Sequence, residues 1–137
     1  MKDTEIQSIK IDISTHEPTF FQKVMQCYHT MPKSWLLKRF RVDGGTIHIE
    51  TLNDKIFSAQ IKECQFRWQQ DKYKRYEIWV KKENQKIHFK EIAYMCSDDE
   101  WNTIINFCLN AENSKETAAS KIFSKVEVVK DILEGIS

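Results

Sequence analysis

The sequence predicts a single α+β domain, and three observations carry this prediction. Apolar and polar residues alternate through most of the stretch from residue 35 to residue 95, which is typical of half-buried β-strands. Apolar residues recur at helical spacing near both ends of the chain. The length of 137 residues and the apolar share of 41% are those of one globular domain. We therefore expect residues 1–137 to form one unit.

The N-terminal part predicts one strand and one helix. Ile9, Ile11 and Ile13 alternate with polar residues, which indicates a strand with one buried face. Thr15 is a suitable N-cap residue, and Pro18 suits the first turn of a helix. The helix ends before Pro32. Its inward stripe is expected to consist of Phe20, Val24, Cys27, Tyr28 and Met31.

The central part predicts an antiparallel sheet of five to seven strands. Asp43-Gly44-Gly45 separates two alternating runs and is a strong hairpin signal. Between residues 57 and 68, apolar residues occupy odd-numbered positions up to Ile61 and even-numbered positions from Cys64 on. We therefore expect a bulge or bend near Lys62 and Glu63. The connections between the remaining strands are too short for parallel crossovers.

The C-terminal part predicts two helices. Ser97-Asp98-Asp99-Glu100 has the form of a capping box, and Trp101 begins an amphipathic stripe. A polar link over residues 112–116 follows. The second C-terminal helix, within residues 113–137, presents an apolar stripe formed by Ile122, Phe123, Val126, Val129 and Leu133.

Two of these segments resemble the pleckstrin-homology-like superfold. The stretch from Trp35 to Gly44 is similar to the first basic hairpin of such domains, and the stretch from Ser97 to Trp101 is similar to the start of their closing helix. The resemblance covers residues 35–109 and concerns the fold alone. It implies a strongly bent sheet in which Trp101 plugs one open end. The helix after the first strand and the second C-terminal helix depart from the pattern, so an unspecified antiparallel α+β sheet stays open.

Several classes of function lack their motifs. The chain has three glycines and no glycine-rich loop, which excludes the usual phosphate-binding loops. The four cysteines form no C-x-x-C pair, and the histidines lack zinc-ligand spacing. We predict no catalytic residue, cofactor or metal site. No secretory signal or transmembrane run is visible, and we expect reduced cysteines and a cytoplasmic location.

The charges are unevenly distributed along the chain. Residues 62–90 contain nine Lys and Arg against four Asp and Glu, whereas residues 91–116 contain one against six. Basic residues beside aromatic ones are typical of nucleic-acid surfaces, and the resemblance implies that a basic first hairpin holds acidic phospholipid headgroups in some members. The candidate anion or nucleic-acid surface consists of Lys38, Arg39, Arg41, Arg67, Lys72, Lys74 and Arg75. The alternative is a solvated hairpin whose lysines prevent aggregation.

The main functional hypothesis is a non-catalytic protein-binding or regulatory module. Its partner, a second copy or another protein, would be reached through the C-terminal helix or through an exposed sheet edge. The polar link would let the helix swing away from the domain. The first alternative is a cavity protein for a small ligand or lipid, lined by Phe66, Trp68, Tyr76 and Trp79. The second alternative is a nucleic-acid-binding domain that uses the basic segment from Arg67 to Lys90.

Overall fold

The chain forms two antiparallel β-sheets and one long helix, in a computed structural model that describes residues 7–25 and 31–113. The first sheet contains, in this order, β1 (Ile11–Ser14), β2 (Leu37–Asp43), β3 (Thr46–Thr51) and β4 (Ile56–Gln60). The second contains β5 (Gln65–Gln70), β6 (Tyr76–Lys82) and β7 (Gln85–Lys90). Helix α1 (Phe20–Met25) lies between β1 and β2, and helix α2 (98–113) follows β7. The α+β class and the antiparallel pairing are confirmed.

The strands divide into a sheet of four and a sheet of three, where one strongly bent sheet was expected. The division falls at the predicted bend, where the 3-10 turn Ile61–Glu63 ends β4 and redirects the chain into β5. Ile61 and Cys64 are both buried, although they are three positions apart and a single strand would place them on opposite faces. The change from odd-numbered to even-numbered apolar positions in the sequence therefore marks the point where the chain passes from the first sheet to the second.

The hairpin between β2 and β3 has a two-residue turn. Asp43 pairs with Thr46, so Gly44 and Gly45 are the two central residues. Their φ angles are +59° and +79°, as a type I′ turn requires, and glycine adopts such angles without steric cost. The turn lies one residue later than an Asp-Gly turn would, because glycine is present at both central positions.

Helix α2 begins with the predicted capping box. The backbone N–H of Glu100 donates to Ser97 Oγ at 3.1 Å, and the backbone N–H of Ser97 donates to Glu100 Oε1 at 3.1 Å. Trp101 is 1% exposed, and its indole Nε1 donates to the carbonyl oxygen of Ile92 at 2.9 Å. The apolar stripe of this helix is buried as predicted, in the residues Trp101, Ile104, Ile105 and Cys108.

Aromatic rings join α2 to both sheets. The Phe107 ring of α2 lies 5.9 Å from the Phe40 ring of β2 and 6.2 Å from the Phe66 ring of β5. Phe40 also contacts Phe89 of β7 at 6.1 Å between centroids. These edge-to-face pairs are favourable geometries for aromatic side chains. One core therefore holds the two sheets and the helix together.

Helix α1 starts later than the sequence predicted, and residues 26–30 after Met25 lie outside the described residues. Thr19 is its cap: the backbone N–H of Gln22 donates to Thr19 Oγ1 at 3.2 Å, and that of Thr19 donates to Gln22 Oε1 at 2.9 Å. Thr15 does not cap the helix, because its hydroxyl donates to the carbonyl oxygen of Leu37 at the start of β2. Cys27 and Tyr28, and the second C-terminal helix, lie outside the described residues.

Candidate binding surfaces

The outer face of the second sheet combines aromatic and basic side chains. Phe66, Val80 and Ile87 point into the core, so the alternate residues of β5, β6 and β7 point outward. Strand register places Arg67, Trp79 and His88 in one row across the sheet, and Gln65, Lys81 and Lys86 in the next. We call the surface formed by these outward residues and by Trp35 the aromatic–basic face. Its key residues are Trp35, Arg67, Trp79, Lys81, Lys86 and His88.

Three rings form the centre of the aromatic–basic face. The His88 ring stacks on Trp79, with centroids 4.8 Å apart and planes 19° apart. Trp35, on the 3-10 turn Lys33–Trp35, meets His88 edge-on at 5.4 Å. Nε2 of His88 is hydrogen-bonded to Glu77 Oε1 at 2.7 Å, and Gln69 Nε2 donates to the other oxygen of Glu77 at 2.9 Å. The stacking on Trp79 and the hydrogen bond to Glu77 therefore fix the orientation of the His88 imidazole.

Three cations of this face have no carboxylate partner among the described residues. Arg67, Lys81 and Lys86 are exposed, and none forms an ion pair with a residue in 7–25 or 31–113. Their basic neighbours differ, since Lys82 lies 2.8 Å from Glu63 and Lys90 lies 3.3 Å from Asp71. The outer face of the sheet therefore carries three of the basic residues that form the positive excess of residues 62–90.

The basic residues of β2 are neutralised by carboxylates. Lys38 Nζ lies 3.1 Å from Glu50 Oε2, and Arg39 donates two hydrogen bonds to Asp12 at 2.9 and 2.8 Å. The hydrogen bonds to Glu50 and Asp12 raise the pKa values of Lys38 and Arg39. Arg41 lies 3.9 Å from Asp43. An anion at this hairpin would have to displace these carboxylates.

A β-bulge explains why the first two of these residues point outward together. The register of β2 against β3 shifts between Leu37 and Arg39. Lys38 and Arg39 are consecutive, yet both are exposed, whereas alternation would place them on opposite faces. An extra residue in one strand of a pair re-aims the following side chains. The bulge thus brings both cations within reach of carboxylates on the neighbouring strands.

The remaining candidate cations lie in the connection between β5 and β6. Lys72 Nζ is 5.1 Å from the centroid of the Tyr73 ring, and Arg75 lies 3.4 Å from Glu91. Lys74 has a positive φ of 63° in the turn. Asp71 organises this loop by accepting hydrogen bonds from the backbone N–H groups of Tyr73 and Arg75. The loop is therefore a locally bonded turn, separate from the lysines of the aromatic–basic face.

Helix α1 exposes four large apolar side chains. Phe20, Phe21, Val24 and Met25 have exposed fractions of 81%, 72%, 47% and 63%. The prediction that Phe20 and Val24 face the core is wrong, because the α2 rings already cover the inner faces of β2, β5 and β7. Met31 does pack partly against the core. We call Phe20, Phe21, Val24 and Met25 the α1 apolar face.

The aromatic residues proposed to line a cavity do not share one surface. Phe66 is buried against Phe107, whereas Trp79 pairs with Arg67 on the opposite face of the second sheet. Trp68 and Tyr76 are partly buried against the core. A shallow depression of about 260 Å³ lies elsewhere, along β1 and β2, and charged side chains form much of its lining.

Two of the described cysteines, Cys96 and Cys108, have raised pKa values and are therefore poor nucleophiles. Cys64 and Cys108 are buried, and Cys96 is partly buried. Burial, together with the nearby Glu100 carboxylate, raises the pKa of the Cys96 thiol to about 12. Burial also raises the pKa of the Cys108 thiol. Because the thiolate is the reactive form, these side chains behave as small apolar groups.

In comparisons with known proteins, no family model, no curated protein and no solved structure matches the chain. Within the part of the chain that the structure describes, no helix is long and apolar enough to cross a membrane. The same described residues contain no group of three or more His, Cys, Asp or Glu side chains arranged to hold a metal ion. The candidate C-terminal stripe, Ile122, Phe123, Val126, Val129 and Leu133, lies outside the described residues.

Proposed function

We propose that this protein is a non-catalytic protein-binding module that contacts its partner through the α1 apolar face. The observation that carries the proposal is the exposure of four large apolar side chains on α1. Single exposed apolar residues are ordinary on soluble proteins, but contiguous patches of several hundred Å² mark interaction sites. At their exposures, the two phenylalanines alone present on the order of 300 Å².

The geometry of α1 suits insertion into a groove of a partner. Successive helical residues are about 100° apart, so positions 20, 21, 24 and 25 fall within an arc of about 140°. Such spacing is typical of helices that lay an apolar face into a groove. The reciprocal hydrogen bonds of Thr19 and Gln22 and the burial of Pro18 hold the start of the helix in place. Less ordering is then required when the partner binds.

The resemblance to the pleckstrin-homology-like superfold supports a binding role. The burial of Trp101 beside the capping box of α2 supports one part of the resemblance, the closing helix with a buried tryptophan, although the strands form two sheets. The basic hairpin gives the resemblance less support, since Lys38 and Arg39 are bound by carboxylates. We place the module in the cytoplasm, in agreement with buried thiols that form no disulfide among Cys64, Cys96 and Cys108.

Site-specific photo-crosslinking tests the proposal directly. A benzophenone amino acid placed at position 21 of the full chain should give a discrete protein adduct in cells. The matched control is position 56, because Ile56 is also apolar and 66% exposed but lies on β4, at the edge of the first sheet opposite β1. Equal adduct patterns at positions 21 and 56 would contradict the proposal.

Light scattering distinguishes a second copy from another protein as the partner. If the partner is a second copy, the full chain gains mass with concentration, and the variant Phe20→Ser/Phe21→Ser does not. If the chain is monomeric and the adduct at position 21 contains another protein, the partner is heterologous. Ile56→Ser serves as the control for a simple loss of surface apolarity.

A further inference from the structure

We propose that the aromatic–basic face binds single-stranded nucleic acid. This inference is independent of the α1 apolar face and concerns a different sheet. Two features on the outer side of β5, β6 and β7 carry it. Three cations there have no carboxylate partner among the described residues, and a cluster of three rings lies beside them.

The arrangement of the two lysines indicates an anionic ligand. Lys81 and Lys86 are direct cross-strand partners on the same face. Like charges at this position repel each other and destabilise the sheet. Other lysines of the second sheet are compensated, as Lys82 is by Glu63. A phosphate placed between Lys81 and Lys86 would remove the repulsion, and Arg67 in the next row could contact a neighbouring phosphate.

The rings indicate that the anion carries bases. Trp79 and His88 stand in the row next to the two lysines, and Trp35, which is 39% exposed, borders them. Aromatic side chains beside cations let bases stack while the phosphates are neutralised, and each stacked base contributes about 1–3 kcal/mol. The hydrogen bonds of Glu77 to His88 and Gln69 fix this platform before a ligand arrives.

A single strand fits this surface better than a duplex or an acidic protein segment. In a duplex the base faces are stacked on one another and are not available to side chains. An acidic peptide would satisfy Arg67, Lys81 and Lys86 but would gain no base stacking from the ring cluster. The acidic peptide and the duplex are therefore the competitors that the experiment must include.

Fluorescence anisotropy of a labelled oligothymidylate of about 15 nucleotides, with the full chain as titrant, tests the inference. Three phosphate contacts predict a decrease in affinity of about twentyfold between 50 mM and 200 mM salt. Lys81→Gln/Lys86→Gln should weaken binding and leave about one third of the salt dependence. The matched control is Lys10→Gln/Lys55→Gln, which removes the same charge from exposed positions beside the first sheet and should bind as the unchanged chain does.

Two further measurements complete the test: one separates base stacking from simple charge attraction, and the other checks that the lysine variant is folded. Saturation with the oligonucleotide should quench tryptophan fluorescence, and Trp79→Phe should reduce that quenching. The melting temperature of Lys81→Gln/Lys86→Gln should equal or exceed that of the unchanged chain, because the substitution removes a repulsion. A loss of binding then cannot be attributed to unfolding.

Three outcomes would overturn the inference. The first is the absence of binding at 50 mM salt. The second is an equal loss of affinity in the lysine variant and in its matched control. The third is equal binding of an oligoglutamate peptide or of a duplex of the same length, which would reduce the face to a general cationic surface.

Discussion

Helices α1 and α2 begin with similar caps but place their apolar side chains in opposite environments. Both start with a reciprocal capping arrangement, Thr19 with Gln22 in α1 and Ser97 with Glu100 in α2. Trp101 on α2 is 1% exposed, whereas Phe20 on α1 is 81% exposed. The cap therefore determines where a helix starts, and the space left in the core determines whether its apolar side is buried.

The largest effect is expected when the buried tryptophan ring of α2 is removed, since α2 packs into the core and α1 does not. Trp101→Ala should lower the free energy of unfolding by about 3–5 kcal/mol, because it leaves a cavity in the core. It also removes the donor to the Ile92 carbonyl. Trp101→Phe should be less destabilising, because it retains an aromatic ring. Urea unfolding followed by circular dichroism measures both variants, and equal losses would show that ring packing contributes little here.

The two caps should differ in their effect on global stability. Ser97→Ala should cost about 1 kcal/mol, the usual value for an N-cap that is lost from a packed helix. Thr19→Ala should cost less, because α1 can open locally without exposing the core. The same unfolding experiment measures both substitutions. A larger loss for Thr19→Ala would mean that α1 contributes to the stability of the core.

The carboxylate of the α2 cap should make stability depend on pH. The hydrogen bond from the Ser97 backbone lowers the pKa of Glu100 below its ordinary value of 4.5. A carboxyl group whose folded-state pKa is lowered stabilises the fold above its unfolded-state pKa, and this contribution is lost as pH falls through the folded-state pKa. Glu100→Gln should therefore lower the melting temperature at neutral pH and have less effect well below pH 4.5.

Asp98→Asn is the control for this pH dependence. It removes a charge from the first turn of α2 and leaves the hydrogen bond between Ser97 and Glu100 intact. Its effect on the melting temperature should be smaller than that of Glu100→Gln at neutral pH. If the two substitutions act equally, the helix dipole, and not the capping bond, accounts for the contribution of the carboxylates.

The smallest effect is expected on α1. Phe20→Ser/Phe21→Ser should change the free energy of unfolding by no more than about 0.5 kcal/mol per substitution, as exposed substitutions usually do. Thermal unfolding of the monomeric protein measures the change. A large loss of stability would mean that the α1 apolar face is covered within the molecule, and the proposed docking surface would be wrong.

Local signals in the sequence predicted much of the fold. The two glycines of the β2–β3 turn, the capping box and the stripe of α2 each depend on residues a few positions apart. The predicted bend near Lys62 corresponds to the turn that separates the sheets. The facing lysines could also have been found, because a two-residue turn at 83–84 places Lys81 opposite Lys86.

Features that depend on contacts between distant parts of the chain could not be predicted from local sequence patterns. Arg39 is neutralised by Asp12, 27 positions away, and no local pattern shows this pairing. An amphipathic stripe indicates that α1 has an apolar side but not whether a core surface remains free to cover it. The arrangement of seven strands in two sheets likewise depends on how sharply the chain turns after β4.

The order of the strands has a consequence for how the chain folds. Within each sheet every strand pairs with its neighbours in sequence, and the longest connection is the one between β1 and β2. Such local pairing favours fast folding. The contacts of Phe107 with Phe40 and Phe66 span much longer stretches, so we expect α2 to dock late. Phe107→Leu should then mainly accelerate unfolding, and little change in the refolding rate is expected in stopped-flow measurements.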